Sequence, residues 1–202
     1  MFNIIDLRPT LAAFALTALL GGPALVQAQP SPEQMQQSQK QMKKMMQMYT
    51  PELRKRVQAL SPATKMEVLK IFSQHTRHSD QVTFRQVMHE VLADYQAIAA
   101  AIATDNGEAA ARAARRLANH TIPKGGLFPY FKLDEINDKD MGVLPAMNTA
   151  VEGSALKLAE AADQGDMTTA ASHLSNIMTG CVACHQMFRG RPGVSNKLID
   201  KK

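Results

Sequence analysis

Apolar side chains recur every three or four residues along most of the chain, which is the period of an amphipathic α-helix. The clearest such segment covers about 82–104 and places six apolar residues on one face: Phe84, Met88, Val91, Tyr95, Ile98 and Ile102. Asp105-Asn106-Gly107 ends this helix, and an Ala-rich helix follows at about 108–119. Small side chains on the second helix allow a neighbouring element to approach closely.

The same period predicts two more helices in the C-terminal half. The first spans roughly 144–164 and is closed by the turn at Gly165. The second begins near Asp166, a residue type that caps helix N-termini, and runs to Arg189. Residues 121–140 separate the two pairs of helices and, with two prolines and two glycines, form a long connection.

These helices predict a four-helix bundle over 81–190, followed by a polar tail at 191–202. Upstream, residues 29–80 form a Met- and Gln-rich extension, with helices predicted at 33–49 and from Ser61 onward. Aromatic residues make up only 5% of the chain and Trp is absent, a composition poor in strand formers. We therefore expect an all-α protein with an N-terminal helical extension.

The methionines of the extension allow three interpretations. Thioether sulfurs bind reduced copper, and five methionines are grouped here: Met35, Met42, Met45, Met46 and Met48. Nearby lysines would instead suit a helix that lies on an anionic membrane surface; these are Lys40, Lys43 and Lys44. The third and commonest interpretation is a helix that is flexible or packs on the protein surface.

Residues 1–28 are typical of a secretory signal peptide. Arg8 supplies the positive flank, residues 11–20 form an apolar stretch, and Val26-Gln27-Ala28 provides a site for cleavage after Ala28. The apolar stretch is shorter than the roughly 20 residues that cross a bilayer, which disfavours an uncleaved membrane anchor. We expect export to the periplasm and no transmembrane span in the mature chain.

The formal net charge is +5 and the isoelectric point is near 9.3. Lysine and arginine are nevertheless scattered among acidic residues, and no basic run is interleaved with stacking aromatic side chains, so nucleic-acid binding has little support. A modest positive charge suits weak docking onto acidic redox partner proteins or anionic membrane surfaces.

The chain has two cysteines, Cys181 and Cys184, and His185 follows the second one directly. On a helix this spacing places two thiols and an imidazole on one face. The thiols can then add across the two vinyl groups of a haem while the imidazole reaches the iron from the same side. We therefore predict one covalent haem c, with His185 as the proximal iron ligand, on a stripe turned toward the bundle interior that also contains Leu174, Met178 and Phe188.

Three other uses of these residues fit less well. A thioredoxin-like redox pair lies beside a strand and at the start of a helix, whereas Cys181 and Cys184 fall late in a predicted helix. A zinc ribbon needs four ligands, and the chain has no further cysteine. A disulfide between the two cysteines would strain the helix and leave His185 without a role.

Four segments carry a family resemblance: the C-terminal motif from Cys181 to Arg189, the turn Ala161-Ala162-Asp163-Gln164-Gly165-Asp166, Phe84-Arg85-Gln86 and Leu127-Phe128-Pro129. With them, the chain over about 82–189 resembles the cytochrome c prime family, taken to include its low-spin relatives with a methionine ligand. The resemblance implies an antiparallel four-helix bundle with the haem near one end. It also implies that Arg85 and Gln86 lie close to the haem edge and that Arg189 lies beside the proximal imidazole.

Two functions follow from this resemblance. The first is electron transfer, in which the haem iron cycles between its ferric and ferrous states and exchanges electrons with redox partner proteins. The alternative is binding of nitric oxide or carbon monoxide at an open distal position. A peroxidase would need a distal acid and base, which the sequence does not offer, so we do not expect an enzyme. A homodimer, as many relatives form, stays open.

The distal side of the haem offers two candidate ligands one residue apart. The family pattern, counted from Arg85-Gln86, points to His89. The apolar stripe of the first bundle helix instead turns Met88 inward, and a side chain must face the haem before it can bind the iron. We therefore favour Met88, with His89 or an open iron as alternatives.

Overall fold

The structure, a computed structural model, describes residues 31–188 and 196–199. The predicted signal peptide at 1–28, Arg189 and most of the predicted tail at 191–202 lie outside the described residues. Within the described ranges the chain is α-helical, with two isolated β-bridges and no strand. The predicted all-α class is confirmed.

The N-terminal extension contains three helices, α1 (Pro32–Gln47), α2 (Pro51–Ala59) and α3 (Pro62–Ser73). Each begins with proline in its first turn, where the missing backbone N–H would have no partner in any case. The hydroxyl groups of Ser31 and Ser61 accept hydrogen bonds from first-turn N–H groups at 3.2 Å and cap α1 and α3. The polar Pro-containing segments between the helices therefore fix where each one starts.

Five helices of the C-terminal part fall close to the predicted ranges, and a short sixth one lies at the end of the segment that was predicted as a connection. They are α4 (Phe84–Ala103), α5 (Gly107–Ala118), α6 (Asp138–Met141), α7 (Leu144–Asn148), α8 (Ser154–Asp163) and α9 (Met167–Phe188). A π-helical turn at Thr149–Gly153 joins α7 to α8, so the third predicted helix carries an insertion that its sequence period did not indicate. Gly165, at φ +75°, makes the predicted turn into α9.

Helix α4 packs against α5, α5 against α8, α8 against α9, and α9 returns to α4. The first core lies between these helices and contains Ile98, Leu117, Leu158 and Ile177, none of which has exposed surface. Buried alanines on α5 and α8 let the helices approach closely, as the sequence predicted. Arg116 of α5 also donates a hydrogen bond of 2.9 Å to the buried carboxylate of Asp94 on α4.

A second core joins the extension to the long connection between α5 and α7. It contains Tyr49, Leu53, Phe72, Phe128 and Met141, with Met45 and Met48 also buried. The lysines of α1 remain on its exposed side. These positions support the interpretation in which α1 packs on the protein surface.

The described C-terminal residues return to the corner between α1 and α2. Tyr49 and Leu198 form an antiparallel bridge, in which the Thr50 N–H donates to the Lys197 carbonyl at 3.0 Å and the Ile199 N–H donates to the Met48 carbonyl at 2.7 Å. The second core therefore includes segments from both ends of the described chain. Among the described helices, none is long and apolar enough to cross a membrane.

Candidate functional site

Helix α9 holds the cysteine motif near its C-terminal end. Asp166 caps its N-terminus, where the carboxylate accepts the Thr169 N–H at 2.9 Å, as the sequence predicted. Cys181 follows the buried Gly180 and packs against the edge of the first core, and Cys184 is half-buried one turn later. Both thiols therefore lie on the flank of α9, between its buried face and solvent.

The two thiols are free and protonated at neutral pH. Burial raises the pKa of Cys181, and burial together with the neighbouring Cys181 raises the pKa of Cys184. Reactive cysteines of redox enzymes need the opposite shift, because the thiolate is the nucleophile. This environment argues further against a thioredoxin-like pair.

Part of the predicted stripe lies closer to solvent than expected, although Leu174 packs against the first core and Phe188 against the second. The sequence predicted that Met178 and His185 face the bundle interior, but Met178 is 43% exposed and His185 is exposed. The reason is the rotation of α9 about its axis, since its buried face passes through Ala170, Ile177 and Gly180. The motif therefore lies at the edge of the first core, with Cys181 inward and His185 outward.

Helix α4 places the two candidate distal ligands and the two residues predicted near the haem edge at different depths. Met88 is half-buried, whereas His89, Arg85 and Gln86 are exposed. Gln86 already has a local role, because its side chain accepts the Thr83 N–H at 2.8 Å while the Thr83 hydroxyl accepts the Gln86 N–H at 3.3 Å. This reciprocal pair is a capping box at the start of α4.

Uncovered apolar side chains accompany the motif. Leu92 on α4 is 50% exposed, and Val182 on α9 is 48% exposed, in addition to Met178. These two helices contact each other, so the apolar surface and the cysteine motif belong to the same pair of elements. Large exposed apolar groups are typical of a surface that another apolar body covers. The residues present therefore fit a covalently held porphyrin, with thiols for its vinyl groups and an imidazole and a thioether for its iron.

The structure also brings together three residues that the sequence analysis did not single out as a group. His75 follows α3, His120 follows α5, and Glu152 lies in the π-turn. Burial alone would raise the pKa of Glu152, but the adjacent imidazoles of His120 and His75 outweigh it and lower the pKa to about 2. Burial likewise lowers the pKa of His120, yet the Glu152 carboxylate reverses this effect and raises it overall.

Comparisons with models of known protein families, with curated proteins and with solved structures found no match to this chain. The functional interpretation therefore depends on the residues of the chain and on their arrangement.

Proposed function

We propose that this chain is an exported, periplasmic c-type cytochrome that carries one haem c on Cys181 and Cys184 and transfers electrons. The observation that carries this proposal is the arrangement on α9, where two half-buried thiols and an exposed imidazole occupy adjacent positions within one helical turn. Two thiols spaced by three residues match the vinyl groups of haem, and the following imidazole matches the iron.

Each residue of the motif has a separate role in this proposal. Cys181 and Cys184 hold the haem through thioether bonds, and His185 binds the iron on the proximal side. Met88 is the favoured distal ligand because its half-buried side chain lies on α4, which α9 contacts. His89 is exposed and remains the alternative that the family pattern indicates.

The surrounding helices would form the antiparallel four-helix bundle of a cytochrome c prime-like protein. The closed sequence of contacts between α4, α5, α8 and α9 supports this architecture. Exposed apolar side chains at Leu92, Met178 and Val182 would pack on the porphyrin and keep water from it. Arg85 is exposed at the start of α4, where it would contribute positive charge near the haem edge.

Bound haem would supply reversible one-electron chemistry at its iron. The protein would contribute the axial ligands and an apolar pocket, both of which set the reduction potential. The net charge of +5 would favour transient docking onto acidic redox partner proteins. The function is that of a carrier rather than of an enzyme.

Expression of the full chain with the haem-attachment machinery tests the proposal directly. We expect the intact mass of the protein to increase by one haem and the red colour to stay with the protein in acidic acetone. Haem that extracts into the solvent, or a mass without haem, would refute covalent attachment. Cys181→Ser and Cys184→Ser should each leave one thioether, and Ala183→Ser, an exposed position between them, is the matched control.

Carbon monoxide separates electron transfer from the alternative function. If Met88 binds the iron, the ferrous spectrum should change little when carbon monoxide is added. Rapid and complete formation of a carbon monoxide complex would instead indicate an open distal position and favour nitric oxide or carbon monoxide binding.

A further inference from the structure

We propose that His75, His120 and Glu152 form a binding site for one divalent transition-metal ion of the Zn²⁺ type, separate from the cysteine motif. One ligand atom of each residue lies within 4.8 Å of the other two. The site is internal, since the side chain of His75 is 1% exposed, that of Glu152 12% and that of His120 13%. Two histidines and one carboxylate are a common ligand set for such ions.

The hydrogen bonds of the two imidazoles fix which nitrogen atoms are available. Nδ1 of His75 lies 3.0 Å from the Ile71 carbonyl oxygen, and Nδ1 of His120 lies 3.1 Å from the Thr121 carbonyl oxygen. A carbonyl oxygen only accepts, so each Nδ1 must carry the hydrogen. In a neutral imidazole Nε2 is then a bare lone pair, which is the form that binds a metal.

Both lone pairs face the same carboxylate oxygen. Nε2 of His75 lies 3.4 Å and Nε2 of His120 lies 3.2 Å from Oε1 of Glu152. Within the described residues, Nε2 of His75 is buried and has no hydrogen-bond partner. If His120 carried an extra proton, its Nε2 could donate a hydrogen bond to Glu152. Nε2 of His75 would still have no partner, and buried polar atoms without partners are costly. One cation between the three atoms would satisfy all of them.

The distances suit a zinc-sized ion. Tetrahedral zinc with bonds of about 2.0–2.1 Å separates its ligand atoms by about 3.3 Å. The two nitrogen-to-oxygen separations, 3.4 and 3.2 Å, are already close to this value. Two of the three ligand-to-ligand separations are thus already those of a tetrahedral site, and the third is no more than 4.8 Å.

Surrounding groups hold the three ligands in position. The Asn148 side-chain amide donates to Oε2 of Glu152, which leaves Oε1 directed at the histidines. The carbonyl groups of Ile71 and Thr121 orient the two imidazoles in the same way. Such outer contacts are typical of metal-binding histidines and carboxylates. The π-turn that carries Glu152 is itself a feature often found at functional sites.

A cleft of about 90 Å³ has His75 among the residues that line it. Its other walls come from α1, the end of α3 and the segment after α3: Gln34, Gln37, Ser38, Gln41, Ser73, Thr76 and His78. The cleft therefore lies beside one of the three proposed ligands.

Zinc titration of the full chain tests the proposal. After chelator treatment, the wild-type protein without a histidine tag should bind one Zn²⁺ per chain by isothermal titration calorimetry, and its melting temperature should rise by several degrees. Glu152→Gln and His75→Gln should each weaken zinc binding by at least about 100-fold, since even outer contacts of metal ligands are worth 10–100-fold. His173→Gln, a histidine outside the cluster, should bind zinc like the wild type.

X-ray absorption at the zinc edge of the wild-type protein identifies the ligands without any variant, so a variant that fails to fold does not weaken the test. We expect a shell of nitrogen and oxygen atoms with outer scattering from two imidazoles. A shell that contains sulfur would place the zinc at Cys181 and Cys184 and overturn the proposal. It would also be overturned if the wild type binds no zinc, or if folded Glu152→Gln and His75→Gln bind zinc unchanged.

Discussion

At the scale of single residues, the depth of each side chain on α4 distinguishes the two distal candidates. Met88 is half-buried, and Tyr95 of the same helix packs against the first core. His89 is exposed to solvent. The neighbouring Gln86 contributes to the cap of α4, a role that does not depend on any cofactor.

We predict that Met88→Ala removes the sulfur-to-iron charge-transfer band from the ferric spectrum and lowers the reduction potential, because a thioether favours ferrous iron. His89→Ala is the matched control, one position along α4, and should keep the wild-type spectrum. Loss of the low-spin spectrum in His89→Ala with no change in Met88→Ala would contradict the assignment.

A second prediction concerns Asp166, whose pKa is lowered from 3.8 chiefly by the hydrogen bond from the Thr169 N–H. A group whose pKa is lower in the folded state stabilises the protein at pH values above its unfolded-state pKa. This contribution is lost as the pH falls through the folded-state pKa. Asp166→Asn keeps a capping oxygen but removes the charge that interacts with the helix dipole.

We therefore expect Asp166→Asn to lower the melting temperature at pH 7 and to match the wild type once the pH lies below the folded-state pKa of Asp166. Glu160→Gln, an exposed acid on α8, controls for the change in net charge. A difference between wild type and Asp166→Asn that stays constant between pH 7 and pH 3 would contradict the prediction.

At the scale of helices, most of the architecture could be predicted because each helix has local signals. The three-to-four period marked α4 and α5, and Gly165-Asp166 marked the boundary before α9. The π-turn at Thr149–Gly153 could not be predicted, since its apolar spacing differs little from that of a continuous helix. Its presence depends on what the turn packs against.

The two candidate sites likewise differ in whether local sequence signals could predict them. Cys181, Cys184 and His185 lie within five residues, so their spacing alone indicated a chemistry. His75, His120 and Glu152 come from three distant segments, and only the tertiary structure brings them together. The rotation of α9 that exposes His185 was also missed, because periodicity gives the spacing of a stripe but not its direction.

The contact between α9 and the π-turn gives a third prediction. A Cβ atom at Gly180 would lie 2.7 Å from Val151 Cγ2 and 3.1 Å from Ala150 Cβ. Overpacking destabilises a protein by about 1–3 kcal/mol, whereas replacing a helical glycine with alanine stabilises the helix by up to about 1 kcal/mol. We expect Gly180→Ala to reduce the free energy of unfolding by about 1–2 kcal/mol, measured by urea denaturation.

The double variant Gly180→Ala/Val151→Ala is the control for this mechanism. Because Val151→Ala removes the closest contact, the Gly180→Ala substitution should cost clearly less in that background than in the wild type. Equal costs in both backgrounds, or a Gly180→Ala protein more stable than the wild type, would show that the contact with the π-turn is not tight.

At the scale of the whole molecule, two cores share one chain and meet through α9. Cys181 packs on the first core, while Phe188 at the end of the same helix stacks on Phe131 of the second, with ring centroids 4.6 Å apart. A helix that belongs to both cores should make them unfold together.

Tyr49→Phe tests this coupling. The Tyr49 hydroxyl donates a buried hydrogen bond of 2.7 Å to the Gly125 carbonyl, so its loss leaves a buried acceptor unpaired at a cost of about 1–3 kcal/mol. We expect circular dichroism and haem absorbance to report the same lowered urea midpoint. Tyr95→Phe, beside the first core, should change stability by less than about 0.5 kcal/mol. Separate midpoints for the two probes would contradict cooperative unfolding.

The bridge between Tyr49 and Leu198 also has a consequence for biosynthesis. A growing chain makes residue 49 well before residue 198, so the second core lacks one edge until residues 197–199 have been made. Closing so long a loop carries a large entropy cost and slows folding. Prematurely terminated chains would lack the Lys197 and Ile199 hydrogen bonds altogether and expose the corner at Met48–Thr50 to proteases. Residues 197–199 thus complete the edge of the second core.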